Sequence, residues 1–176
     1  MGSVASVESV DGEIVTERLR LQPLRVEDAD DMVDVLGDER LHEFIGGRPL
    51  GLDELRDRYR RLAAGSPHDD QEWLNWIARR RSDARPIGTL QATCAHHRGA
   101  WSAQVAWVIG VDFQGQGFAS EAAGALVRWL RSRGAAYVEA HIHPEHRASA
   151  LVAARAGLRL TAEEVDGEQV WRTTTT

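Results

Sequence analysis

The sequence lacks the features that mark several specialised classes of protein. Its 176 residues include one cysteine, Cys94, so no internal disulfide can form and a reducing compartment, the cytoplasm, is expected. No run of 18 apolar residues is present, which argues against a membrane-spanning helix. The first ten residues have neither a basic region nor an apolar stretch, so we expect no signal peptide there.

An excess of positive charge is also missing. The formal net charge is -6 and the pI is about 5.6, whereas a protein that binds nucleic acid needs a basic surface for the phosphates. The hydrophobic content of 43% and the charged content of 27% are those of an ordinary globular protein. We predict one domain over residues 14–172, with flexible termini at 1–13 and 173–176.

Hydrophobic periodicity predicts a mixed α/β domain. The predicted order is β-α-α-β-β-β-α-β-α-β-β, in which the three consecutive strands form an antiparallel meander. The predicted strands lie at 16–24, 72–80, 86–95, 100–110 and 136–143, and helices begin near Val26, Leu52, Phe118 and Arg147. Asp166-Gly167 is a favoured turn pair and predicts a final hairpin.

The segment FQGQGFASEA, residues 113–122, places two glycines where the third meander strand meets a helix. The start of a helix carries unpaired backbone N–H groups and the positive end of the helix dipole. Glycines just before it allow an anion to approach the backbone. The segment therefore predicts a cradle for a phosphate or pyrophosphate, and the alternative is a tight turn without a ligand.

Two familiar phosphate-binding patterns fit this segment poorly. A P-loop requires Gly-Lys-Ser/Thr, and the segment has no lysine. A dinucleotide fingerprint requires G-x-G-x-x-G, but Ser120 follows Gly115 and Gly117 where the third glycine belongs. Glu139, about twenty residues further on, is placed like a ribose-binding acid, yet the predicted meander is not the repeated βαβ unit of that fold.

A third pattern, Q-x-x-G-x-A, is met by Gln114, Gly117 and Ala119. The surrounding stretch VAWVIGVDFQGQGFASEAAGALVRWL resembles the coenzyme A-binding motif of the GNAT N-acetyltransferases. TERLRLQPLRVEDAD is similar to the opening of their RimJ/RimL-like branch. That branch also carries P-x-N-x-x-S, matched here by Pro144, His146 and Ser149 with histidine in place of asparagine. The resemblance covers about residues 15–172.

The resemblance implies a fold, a co-substrate and an activity. It implies a mostly antiparallel sheet flanked by helices, in which a parallel pair of strands splays apart to hold acetyl-CoA. The expected activity is acetyl transfer to a primary amine of a protein N-terminus or a small molecule, by direct attack in a ternary complex. The residues implied for coenzyme A binding are Trp107, Val108, Ile109 and Val111 for the pantetheine arm, Gln114, Gly115, Gln116, Gly117, Phe118, Ala119 and Ser120 for the pyrophosphate, and His146.

The catalytic residues implied by the resemblance are Ser149 and Glu168. Family members commonly use a tyrosine to protonate the leaving thiolate, but Ala153, Ala154 and Arg155 occupy its expected region. In the RimL branch a serine serves instead, and Ser149 matches the motif serine, so the resemblance implies Ser149 as the acid. Its alternative role is to bond nearby backbone or the cofactor at a helix start. Glu168 in the last hairpin is the expected base, with ordered water as the alternative.

The histidine cluster permits a metal site but does not predict one. His141 and His143 are two residues apart on a predicted strand and would share a face. Zinc is conceivable, but no fourth ligand is evident, and no metal is expected.

Acceptor choice is expected to depend on residues 38–50. Glu39, Glu43 and Arg48 make this loop mixed in sign, whereas a cluster of acids would favour a polycationic acceptor. Two other functions stay open at this point, a catalytically silent coenzyme A-binding module and a nucleotide-dependent oxidoreductase. A homodimer is expected because relatives often dimerise.

Overall fold

A computed structural model describes residues 12–97 and 99–174 of the chain, and the elements below are those of this part. The strands are β1 (Ile14–Val15), β2 (Leu19–Pro23), β3 (Gln71–Arg80), β4 (Pro86–His97), β5 (Ala100–Ile109), β6 (Val138–Ile142), β7 (Leu158–Val165) and β8 (Glu168–Thr173). The helices are α1 (Ala29–Val35), α2 (His42–Ile45), α3 (Leu52–Ala64), α4 (Phe118–Ser132) and α5 (Arg147–Arg155).

The strands form one sheet in the order β1-β2-β3-β4-β5-β6-β8-β7. Strands β3, β4 and β5 are the predicted antiparallel meander, and β5 and β6 are parallel neighbours. The last hairpin turns at Asp166 and Gly167, whose φ angles of 52° and 83° are those that a two-residue hairpin turn requires. The predicted fold class is confirmed.

Side-chain alternation gives the sheet two apolar faces. On one face Leu90 and Trp76 pack against α4, where the Trp76 ring meets the Trp129 ring edge-on with centroids 5.5 Å apart. On the other face Ile77 packs against α1 and α3, including Tyr59 of α3. The opposite faces of β5 therefore look toward different layers of helix, which matters for the site below.

Two local features differ from the predictions. Strand β1 was not predicted, because two residues are too short to show a period. Helical spacing in the sequence predicts Gly124 on the outer face of α4, with Glu121, Arg128 and Arg131, but Gly124 is one of the nine buried residues among the fifteen of that helix. The reason is that α4 packs against α5 as well as against the sheet, so its burial extends well beyond one stripe.

The predicted flexible termini lie mostly outside the described residues. Within them, the Gly12 carbonyl accepts a hydrogen bond of 2.7 Å from the Trp76 indole, and the Val138 N–H donates to the Thr173 hydroxyl. None of the helices in the described ranges has the length and apolar character needed to cross a bilayer.

Candidate functional site

The parallel strands β5 and β6 pair over only a short length. Their ladder consists of Ala103 with Val138 and Gln104 with Glu139, close to the start of both strands. From Val105 to Ile109, β5 has no strand partner on its β6 side within the described residues. An unpaired strand edge presents a row of N–H and C=O groups to which an extended chain can bind. The expected splayed pair is therefore present.

The open end of this gap lies beside two helix starts. Because β5 and β6 are parallel, their C-terminal ends lie at the same end of the sheet. Helix α4 follows β5 after a single 3-10 turn at Val111–Phe113, and α5 follows β6 after four residues. Ligands of such parallel units characteristically bind at the carboxyl ends of the strands.

The glycine segment has the geometry of an anion cradle. Gly115 and Gly117 have φ angles of 72° and 83°, the left-handed region that favours glycine. Gly117 is the N-cap of α4 without a side-chain cap, and the first helical bond runs from the Glu121 N–H to the Gly117 carbonyl. The N–H groups of the first turn are thus left for a ligand. A Cβ added to Gly115 would meet no atom within 4 Å, so the approach is open.

The cradle also contains a cation that the sequence patterns did not reveal. Arg18, from the turn before β2, donates to the Gln116 carbonyl at 2.9 Å and to the Glu121 carboxylate at 2.7 Å. Its Nη2 lies 3.3 Å from the position that a Cβ on Gly117 would occupy. In the sequence, Arg18 alternates with Leu19 and Leu21 in the predicted strand 16–24, a pattern that predicts only a solvent-facing side chain. Backbone donors and a guanidinium at one point fit the pyrophosphate of coenzyme A.

Gln114 has a structural role in the same turn. Its side-chain amide donates to the Ile109 carbonyl at 2.9 Å, which ties the end of β5 to the glycine segment. The predicted pantetheine residues Trp107, Val108 and Ile109 belong to the unpaired part of β5, and Val111 begins the 3-10 turn.

Ser149 and His146 form a pair at the start of α5. The His146 Nδ1 accepts a hydrogen bond from the Ser149 N–H at 3.2 Å, so the histidine caps the helix. The other ring nitrogen, Nε2, lies 3.2 Å from the Ser149 hydroxyl oxygen. The histidine thus occupies the asparagine position of the P-x-N-x-x-S motif and keeps a capping function there.

The hydrogen bonds of this pair determine its proton positions. A ring nitrogen that accepts from an N–H is unprotonated, so in the neutral ring the hydrogen is on Nε2 and points to the Ser149 oxygen. The hydroxyl hydrogen of Ser149 is then available for another acceptor. Burial lowers the pKa of His146 from its usual 6.5, which keeps the ring neutral at pH 7.

Glu168 lies at the start of β8, beside the hairpin turn. Residues 168, 170 and 172 of β8 share one face, and Val170 is in register with His141 of β6. That face is the one that looks toward α1 and α3, because Glu139 of β6 is in register with Gln104 of β5. Glu168 does not line the cavity described next.

His141 and His143 both contact other side chains. The His141 Nε2 lies 3.1 Å from the Glu139 carboxylate, which also accepts from Arg172 at 2.8 Å. Glu139 is thus part of an ion pair rather than a free ribose-binding acid. His143 follows β6, and its ring centroid is 5.5 Å from that of Phe44. No group of three or more metal-ligating side chains occurs in residues 12–97 and 99–174.

A cavity of about 480 Å³ lies on the α1 and α3 face of the sheet. Its floor includes Asn75, Gln91 and Ala106, which are in register across three strands, and it extends along β5 to Trp107 and Val108. Its volume is that of a small-molecule site. The cavity therefore contacts, on the α1 and α3 face of the sheet, the same part of β5 that has no strand partner on its β6 side.

Helix α2 connects this cavity to the serine pair. His42 and Ile45 of α2 line the cavity, while the Phe44 ring packs on His146 with centroids 4.4 Å apart. The structure thus gathers the cradle, the β5 edge and Ser149 around the β5–β6 gap, with the cavity next to them. Ser149 and His146 themselves do not line the cavity.

A split parallel pair with an anion cradle at the following helix defines a coenzyme A-dependent acyltransferase fold. The family model for the GNAT acetyltransferase domain matches residues 18–159. The chain belongs to this family, and it is an acetyl-CoA-dependent N-acetyltransferase. Membership excludes the oxidoreductase alternative. No curated protein sequence matches the chain.

Solved structures of acetyltransferases share the fold. An acetyltransferase from Agrobacterium tumefaciens is 25% identical, with a TM-score of 0.70, and the match covers 99% of this chain and 100% of that one. RimL, a ribosomal L7/L12 alpha-N-protein acetyltransferase in complex with coenzyme A, is 18% identical, with a TM-score of 0.73 and coverage of 92% and 96%. The microcin C7 self-immunity acetyltransferase MccE, in complex with acetyl-CoA and AMP, is 13% identical, with a TM-score of 0.76 and coverage of 94% and 97%. The expected GNAT family is confirmed, and the likeness to RimL is a likeness of fold.

Proposed function

We propose that the protein transfers the acetyl group of acetyl-CoA to a primary amine of a small molecule or a protein N-terminus, by direct attack in a ternary complex. The observation that carries the proposal is the β5–β6 gap, which is open from Val105 onward and ends beside the Gly117 cradle. Acetyl-CoA bound along the β5 edge would present its thioester beside Trp107 and Val108, which the cavity also reaches. Donor and acceptor would then meet without a covalent enzyme intermediate.

The cofactor residues follow from this arrangement. The N–H groups of Phe118, Ala119 and Ser120 would hold the pyrophosphate, with the Arg18 guanidinium, which is also paired with Glu121, beside them. Gly115 and Gly117 would allow its close approach. The backbone groups of residues 107–109 that face the gap would bond the amides of the pantetheine arm as a neighbouring strand does.

Ser149 would donate its hydroxyl hydrogen to the sulfur as the C–S bond breaks. The amine nitrogen forms a bond to the carbonyl carbon, the thiolate leaves, and the amine releases one proton. A thiolate has a conjugate acid with a pKa of about 8.5, so a hydrogen bond is enough to favour its departure near neutral pH. The Nε2–H of His146, directed at the Ser149 oxygen, leaves the hydroxyl hydrogen free for this contact.

Glu168 remains our proposed base for the amine proton. It shares the sheet face of the cavity but lies at the turn end of β8, one residue beyond the last pair between β6 and β8. Ordered water beside the amine is the alternative base. The cytoplasmic location and the homodimer stay predictions from the sequence.

The test is thiol release from acetyl-CoA against a panel of amines, with calorimetric coenzyme A binding measured alongside. The panel contains N-terminal peptides, simple amines and polyamines. The chain contains no lysine, so its own N-terminus is the only protein amine that can contribute background. Thiol release together with an acetylated product supports the proposal. Coenzyme A binding without release for any amine would leave the silent module as the function, and failure to bind would remove the assigned site.

Replacing His146 with asparagine tests the serine pair. Asparagine keeps the helix cap but does not titrate and has no Nε2–H. In the wild type, protonation would place a hydrogen on Nδ1 and break the bond from the Ser149 N–H. Because the pKa of His146 is lowered below 6.5, the contribution of the neutral ring is expected to be complete above that pH and to be lost as the pH falls through the lowered value.

We expect kcat of His146→Asn to be roughly threefold to tenfold lower at neutral pH, the value of one hydrogen bond. The ratio of wild-type to variant kcat should fall as the pH is lowered, because only the wild type has a histidine at position 146 that can become protonated. The ratio cancels protonation of the amine, which is common to both proteins. A ratio that does not change with pH would argue against a role of the neutral ring.

A further inference from the structure

Two residues that line the cavity each carry a buried polar atom that has no hydrogen-bond partner in the described structure. The hydroxyl of Tyr59, a residue only 2% exposed, makes no hydrogen bond, and neither does the Nε2 of His42. Both residues line the cavity. Native proteins rarely leave such atoms unpaired, and each one calls for an explanation. The indole N–H groups of Trp129 and Trp171 are also unpaired but do not line the cavity, so Tyr59 and His42 are the two unpaired residues to which a ligand in the cavity can supply a partner.

The tautomer of His42 indicates what the ligand must supply. Its Nδ1 lies 3.1 Å from the Gly46 carbonyl, which can only accept, so Nδ1 carries the hydrogen. In the neutral ring Nε2 is then an acceptor that needs a donor. The Tyr59 hydroxyl can both donate and accept. Burial raises the pKa of Tyr59, so this group stays protonated and keeps its hydrogen for a ligand acceptor.

The charge of the cavity is positive. Arg48 and Arg58 are its charged lining residues, and no aspartate or glutamate lines it. Arg48 is paired with Glu54 at 2.5 Å, whereas Arg58 has no carboxylate partner in residues 12–97 and 99–174. The remaining walls are mostly leucine. The carboxylates of the acceptor loop, Glu39 and Glu43, therefore do not make the cavity a site for a polycation.

Resting on the proposed acetyl transfer, we infer that the acceptor is a small primary amine with an apolar body and an anionic group. The leucine walls bind the apolar body, and Arg58 binds the carboxylate or phosphate. Tyr59 and His42 pair with polar atoms between these two parts, and the amine lies toward β5. Acetylation of such an amine removes its positive charge, so the product leaves with a net negative charge. Polyamines and other polycations are poor acceptors because Arg58 repels them and no carboxylate holds them.

The probes are amines that differ by one group. Phenethylamine supplies the apolar body alone, phenylalanine adds a carboxylate, tyramine O-phosphate adds a phosphate, and spermidine is the polycation. We expect kcat/KM for the better of the two anionic amines to exceed that for phenethylamine about tenfold or more, and spermidine to be the poorest. The ratio between phenylalanine and tyramine phosphate distinguishes the two anions.

Arg58→Gln should remove most of this preference by raising KM for the anionic amines, with little change for phenethylamine. Arg61→Gln is the matched control, because Arg61 is an exposed arginine of the same helix that does not line the cavity. Tyr59→Phe should raise KM for phenylalanine severalfold while the melting temperature stays equal or rises. A purely structural hydroxyl would lower the melting temperature instead.

Each outcome decides the inference. A preference for spermidine, activity on peptide N-termini alone, or an equal loss for all amines in Arg58→Gln would overturn the acceptor class while leaving acetyl transfer intact. No thiol release with any probe, despite acetyl-CoA binding, would overturn the proposed function itself. Loss of the anion preference in Arg58→Gln but not in Arg61→Gln supports the inference.

Discussion

Gly117→Glu is expected to abolish coenzyme A binding, with at least a hundredfold rise in Kd. The new carboxylate would occupy the cradle, repel the pyrophosphate and compete for Arg18, whose Nη2 lies 3.3 Å from the Cβ position. A hundredfold loss corresponds to about 2.8 kcal/mol. The φ of 83° adds a backbone cost of about 1–2 kcal/mol for a residue with a side chain, which lowers stability but does not by itself remove a ligand site. Calorimetry with coenzyme A measures the affinity.

Gly134→Glu is the matched control for this variant. Gly134 follows the other end of α4 and has a φ of 93°, so the same substitution meets similar backbone strain. Helix α4 has 15 residues and is roughly 22 Å long, which keeps residue 134 away from the cradle. Gly134→Glu should lose stability but keep its coenzyme A affinity. An affinity of Gly117→Glu close to that of the control would mean that the pyrophosphate does not bind at this helix.

Ser149→Ala is expected to lower kcat about a hundredfold while leaving the Kd of coenzyme A nearly unchanged. A positioned proton donor contributes about a hundredfold or more to a rate. Alanine removes the hydroxyl hydrogen of Ser149, which the His146–Ser149 pair leaves free for the thiolate. The helix cap persists, because the His146 Nδ1 bonds the backbone N–H of residue 149 rather than its hydroxyl. Steady-state thiol release and calorimetry separate the two effects.

Ser132→Ala is the corresponding control. The Ser132 hydroxyl donates to the Trp129 carbonyl at the end of α4. Ser132→Ala therefore removes a hydroxyl group, as Ser149→Ala does, but at the opposite end of α4 from the glycine segment. Its kcat should equal that of the wild type. If Ser149→Ala instead raises the Kd of coenzyme A with kcat unchanged, Ser149 is a cofactor contact and another group assists the leaving thiolate.

The larger elements could be predicted because their periods extend over many residues. The meander of β3, β4 and β5 and the helix after the glycine segment show clear alternation or helical spacing over ten residues or more. Strand β1 was missed because two residues carry no period. Gly124 was misplaced because periodicity reports one buried stripe, and contacts from α5 extend the burial around α4.

The cradle was the part of the site most accessible from sequence. Its donors are backbone groups of consecutive residues, so the motif Gln114 to Ser120 contains nearly all of the geometry in one local segment. The pair of His146 and Ser149 was also local, although its tautomer required the two hydrogen bonds of the ring. Site residues that come from distant segments were not predicted. The sequence pattern indicates only a solvent-facing strand residue at Arg18 and a core residue of α3 at Tyr59.

The sequence by itself determined the fold class and the family and predicted the place of the proposed cofactor cradle, because each depends on spacing within a short stretch of chain. Tertiary structure decided where β5 and β6 separate, which charges reach the cavity, and that Tyr59 and His42 lack partners there. These properties depend on distances between segments far apart in the chain, such as Arg18 with Gly117 and Phe44 with His146. Local spacing carries no information on such distances, since they are fixed only when the helices pack on the sheet.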